Sequence, residues 1–125
     1  MKVEYVGHQG DCMIYKISEI PEGERIKDKQ CLDGVLAYGE VTGHAHQIVD
    51  GNVELFRIMT EAYSGLLFLD AKTETTIEHG KDKNFHGEDA DQDYHLPVKL
   101  PVGRYLIGIV EETDHIAQVT RRVAD

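Results

Sequence analysis

"GEVTGHAHQIVDGNVELFRIM" (residues 39–59) is the stretch whose reading decides the fold. Its second half is a short run of aliphatic and aromatic residues, set off by the turn dipeptide Asp50-Gly51. Such runs bounded by turn residues read as strands. Its first half carries His44 and His46, one residue apart. On a helix the two imidazoles would lie about 200° apart, whereas on a strand they share a face, with Cα atoms roughly 6.5 Å apart. The pair therefore makes chemical sense on a strand, where two imidazoles can converge on one ion at about 2.0–2.1 Å per bond. Gly43, just before it, lets the chain bend or bulge there.

The same pattern recurs outward. "CMIYKI" (12–17), "VLAYGEV" (35–41), "GLLFLD" (65–70), "ETTIEH" (74–79) and "RYLIGIVEE" (104–112) are strand-like runs, parted by turn residues at 20–23, 33–34, 64–65 and 100–103. No long stretch keeps a 3.6-residue apolar period. The expectation is a single all-β domain over 1–125, a small β-barrel or β-sandwich, with a polar acidic loop at 80–94. The tail at 113–125 reads as one short helical turn or an extended edge.

Composition narrows the function. With 23 acidic against 13 basic residues the net charge is −10. That charge repels phosphate backbones and anionic membranes over a Debye length of about 8–10 Å, which argues against nonspecific nucleic-acid binding. No apolar run nears the ~20 residues of a membrane span, and "MKVEYVGHQGD" has no signal-peptide core. The expected setting is the cytoplasm. Cys12 and Cys31 form neither a C-x-x-C pair nor a disulfide framework, so two reduced thiols are expected.

Two ligands do not make a site. Five further histidines, His8, His79, His86, His95 and His115, are available. His79 closes one strand-like run and His95 opens the approach to another, positions where side chains of different strands meet. The candidate metal set is therefore His44, His46, His79 and His95. Zinc is the first choice of ion, with iron or manganese as alternatives, since neutral imidazole suits all three. Asp89, Asp91 and Asp93 imitate the start of a calcium loop, but Tyr94 and Leu100 stand where an EF-hand needs Gly and Glu.

Several blocks, in order, carry a resemblance: "HQGDCMIYKISEIPEG", "GEVTGHAHQI", "TIEHGK", "HLPVKLPVGRYLIGIVEE" and "RRVAD". Together they resemble a family of small proteins of bacteriophages, prophages and some bacteria, whose activity is not settled. The resemblance implies a phage or prophage origin, and Glu112 matches a glutamate that the family carries near the end of its last strand. In that family the two later histidines lie close together, whereas here an acidic loop parts them, so His86 is an alternative to His79 or His95. A weaker resemblance is to the cupins, on His44, His46, Glu54 and the Pro101-Val102-Gly103 turn, although Arg104-Tyr105 stands where a cupin has its later histidine.

Two functions follow as expectations. In the first, three histidines hold the ion and an open position binds water, whose pKa approaches ~7, with Glu112 as general base in metal-dependent hydrolysis. If all four histidines bind, the site is closed and structural. In the second, the chain is a non-enzymatic acidic protein that binds or inhibits a host protein. The partner is accordingly a small molecule or a host protein, and an exposed edge strand would permit a homodimer.

Overall fold

The computed structural model describes residues 1–38, 44–60, 63, 66–81 and 96–109. Among the described residues, ten strands and one short helix follow in order: β1 (Val3–Gln9), β2 (Cys12–Ile17), β3 (Arg25–Ile26), α1 (Lys29–Leu32), β4 (Val35–Tyr38), β5 (His44–Asp50), β6 (Val53–Ile58), β7 (Leu67–Ala71), β8 (Thr75–Lys81), β9 (Val98–Leu100) and β10 (Gly103–Ile109). They make two antiparallel sheets, one of six strands ordered β1-β2-β10-β7-β6-β3 and one of four ordered β4-β5-β8-β9. The sheets keep their edges, so the barrel alternative gives way to a two-sheet, sandwich arrangement. No helix among the described residues is long and apolar enough to cross a membrane.

Period-2 alternation explains the layers. Leu67, Leu69 and Ala71 of β7 join Cys12, Ile14, Tyr105 and Ile107 in a core that also takes Leu36, Ile77 and Leu100 from the four-stranded sheet. The alternate residues Phe68, Leu106, Ile17 and Phe56 build a second apolar cluster on the opposite face of the larger sheet. That sheet is thus apolar on both faces.

The Asp50-Gly51 turn does not make a hairpin. It carries the chain from β5 in one sheet to β6 in the other, and Lys72–Glu74 makes the reverse crossing from β7 to β8. The two corners lock together, with Lys72 N–H donating to Asn52 O at 2.8 Å and Asn52 N–H to Thr73 Oγ1 at 2.8 Å. Gly51 adopts φ 115, and a Cβ there would stand 2.7 Å from Glu74 O. Only glycine fits that conformation without strain.

The strand ending in His79 runs on to Lys81, two residues into the segment expected as loop. Residues 82–95 of that loop and the tail from 110 lie outside the described residues.

Candidate functional site

His44 and His46 stand at the start of β5, both buried, with 3% and 1% of their surfaces exposed. They share strand parity with Ile48, which packs against the inter-sheet core, so the histidine face of β5 looks between the sheets. On β8 the same parity runs Ile77, His79, and the register sets Ile48 opposite Ile77 and His46 opposite His79. The imidazoles therefore continue the apolar core to its end, where aliphatic side chains would complete an ordinary sandwich.

The opposing sheet closes that end with the β1–β2 hairpin. Gln9 and Cys12 are paired across the two-residue turn Gly10-Asp11, and Gly10 has φ 59, as a type II′ turn needs at its first central position. The turn delivers Gln9 and Asp11 to His46. Gln9 Nε2 donates to the carbonyls of Ile77 (3.0 Å) and Leu96 (2.9 Å). Carbonyls only accept, so the amide nitrogen faces them and Oε1 faces His46 Nδ1 at 2.9 Å. Nδ1 must then be the protonated nitrogen that donates to Gln9. In the neutral ring Nε2 carries the lone pair, and it faces Asp11, whose Oδ1 is 3.7 Å away.

This is how a ligating histidine is held, with one nitrogen tied to a fixed acceptor so that the other is basic and aimed. Two ligand atoms each about 2.0–2.2 Å from one ion lie roughly 3.7 Å apart when they subtend about 120–130° at it. His46 Nε2 and Asp11 Oδ1 have that spacing. Neither Gln9 nor Asp11 belonged to the expected set, although both sit in the "HQGD" block.

The expected histidines come together differently from expectation. The His46 and His79 rings stack, with centroids 4.2 Å apart and planes 20° apart, and the His44 ring stands edge-on to His79 at 5.9 Å. In-plane lone pairs of nearly parallel rings do not meet at one point. Accordingly, no group of three or more His, Cys, Asp or Glu side chains that could hold a metal ion is present among the described residues. His95, His86 and Glu112 lie outside the described residues. The chain neighbour of His95, Leu96, is the residue whose carbonyl binds Gln9.

The two cysteines are buried thiols. Burial, then the hydrogen bond and charge of Asp28, push the Cys31 thiol up to about 11, which makes it a poor nucleophile.

The chain belongs to the family described as Domain of unknown function (DUF8820), whose model matches residues 8–109. That span holds Gln9, Asp11 and the four candidate histidines, and stops short of Glu112. No curated protein and no solved structure matches the chain.

Proposed function

Within that family, we propose that this chain holds a divalent transition-metal ion, zinc first, with iron or manganese as alternatives, at its histidine end, and uses it in hydrolysis. The observation that carries the reading is the anchored ring of His46. Gln9 holds Nδ1–H, and the opposite nitrogen faces a carboxylate at a spacing one ion can bridge. His46 and Asp11 would be the first two ligands, and His44, His79 and His95 the remaining donors.

His79 joins such a set only by turning out of its stack on His46. Inside β8 it is only partly buried, whereas His46 is fully enclosed. An ion bound with one position open lowers the pKa of a bound water to about 7, which is the chemistry hydrolysis needs. The chain's own residues supply orientation and proton handling. Gln9 keeps His46 in one tautomer, Asp11 is the described carboxylate at the site, and Glu112 is the proposed general base. A phage or prophage origin and action in a host cytoplasm, on a small molecule or a host protein, belong to the same proposal through the family resemblance.

Cobalt(II) substitution tests it. The parent, stripped with chelator and given one equivalent of cobalt, should show the intense visible absorption of a low-symmetry nitrogen–oxygen site. His46→Ala should lose it, and His8→Ala should keep it. Equal, weak spectra in all three proteins would remove the metal site and favour an acidic interaction protein.

A further inference from the structure

On the side away from β7, β6 is paired along only part of its length. β3 meets it at Arg57 and Ile58, and the bond from Met59 N–H to Glu24 O extends the same ladder. Continued in that register, the chain would set Asp28 beside Leu55 and Gln30 beside Val53. Instead Asp28 caps α1, and Gln30 Nε2 reaches Leu36 O of β4 at 3.2 Å. The departing chain leaves a groove of about 330 Å³ along the edge of β6.

The ladder fixes what this edge presents. In an antiparallel sheet the N–H and C=O of one residue point to the same neighbour, and successive residues alternate. Asn52 O accepts from Lys72 N–H on the β7 side, whereas Met59 N–H donates to Glu24 on the β3 side. Val53 and Leu55 share the parity of Met59, so their N–H and C=O groups face the groove. No strand pairs with them there among the described residues. The groove straddles the sheet edge. Cys31, Val53 and Leu55 line it from the inter-sheet core, and Glu54 with Lys27 lines it from the other face.

Charge selects the occupant. Around the groove three cations share two carboxylates, in a chain of net charge −10. Glu54 pairs with Arg25 at 3.1 Å and Lys27 at 3.4 Å, and Lys72 pairs with Asp70 at 2.9 Å. Because Arg25 also holds Glu54, Lys27 can turn to a ligand without stranding that carboxylate.

We propose that this groove takes an extended acidic segment of a partner protein as an added strand on β6. Main-chain bonds to Val53 and Leu55 supply the pairing, and Lys27 supplies the preference for an acidic side chain. The open edge spans roughly 7 Å, so the added strand is short, about three residues. The groove lies past the Asp50-Gly51 corner, at the opposite end of β5 from His44 and His46, and is independent of the metal proposal.

Titration of metal-free protein with an end-blocked hexapeptide of alternating aspartate and valine, read in amide nitrogen–proton spectra, tests the site. Saturable shifts centred on residues 27, 31–32 and 52–55 are expected, with the Val53 and Leu55 N–H signals moving downfield. The same peptide with every backbone nitrogen methylated should lose saturable binding, a comparison that needs no variant to fold. A lysine–valine peptide should bind about tenfold more weakly. Val53→Pro removes one groove-facing N–H at the first residue of β6, where proline is tolerated, and should weaken binding about tenfold. Lys27→Glu, at an exposed position, should weaken it too. Parental affinity for the methylated or the lysine peptide, or in a folded Val53→Pro, would each overturn the proposal. Concentration-dependent shifts of the same amides without peptide would also overturn it, since a second copy would then fill the groove.

Discussion

Gln9 Oε1 lies 2.9 Å from His46 Nδ1, although 37 residues separate them and they belong to different sheets. That single bond, with the two that Gln9 Nε2 makes to Ile77 and Leu96, ties the β1–β2 turn to β8 and to the residues that lead into β9. It also settles which imidazole nitrogen of His46 carries the proton.

Replacing Gln9 by Leu should therefore have two effects. The buried Ile77 carbonyl, the more exposed Leu96 carbonyl and one buried ring N–H lose their partner, which should cost about 2–4 kcal/mol in denaturant unfolding. Zinc affinity should fall about 10–100-fold, the usual effect of removing a residue that orients a ligand. Isothermal zinc titration of the variant under conditions where it is folded reads the second effect apart from the first.

The corner at Gly51 is a purely structural test. Gly51→Ala puts a Cβ 2.7 Å from Glu74 O at φ 115, so it should destabilise by more than about 1 kcal/mol. Val49→Ala, two residues earlier at a position 51% exposed, should stay within about 0.5 kcal/mol of the parent. Thermal unfolding compares the two.

How much of this was legible in the sequence depends on burial. β2 was read residue for residue at 12–17, because Cys12, Ile14 and Ile17 are buried and the run is bounded by turns. β6 was read to within one residue for the same reason. β1 is not legible, because it is an edge strand with exposed Glu4, Tyr5 and Val6, whose identities carry no alternation. β3 and β9, at two and three residues, are too short to form a pattern. The shared face of His44 and His46 followed from strand periodicity. Gln9 and Asp11 were not legible as partners, since their nearness to His46 arises from a hairpin in the other sheet. The stacking of His79 on His46 is likewise a matter of side-chain rotation, which spacing does not encode.

Asp28 gives a pH-dependent prediction. It caps α1, accepting from the Cys31 backbone N–H at 3.0 Å, and pairs with Arg57 at 3.0 Å. The capping bond first, then Arg57, lowers its carboxyl from 3.8 to about 2. The folded value lies below the unfolded one, so the stabilisation is present above about pH 4 and is lost as pH falls through about 2. Asp28→Ala should cost about 0.5–2 kcal/mol at pH 7, at the lower end because the carboxylate is half exposed and screened. The difference from the parent should vanish near pH 2 in denaturant midpoints.

Phe68 probes the second apolar cluster. Its ring stacks on Phe56 at 5.9 Å and 15°, and both are fully buried. Phe68→Ala should cost about 3–5 kcal/mol if that face is a true core. A loss below about 1 kcal/mol in urea unfolding would mean that the face is only loosely covered.

The metal reading meets its most direct test in the imidazole nitrogens of His46. Long-range nitrogen–proton spectra of metal-free protein at neutral pH, followed through addition of one equivalent of zinc, report each ring nitrogen separately. The account predicts a neutral His46 ring protonated on Nδ1, an Nε2 resonance that moves to a metal-bound position at one equivalent, and an Nδ1–H that stays in place. A His46 ring protonated on Nε2 instead, or histidine resonances that ignore stoichiometric zinc, would contradict it.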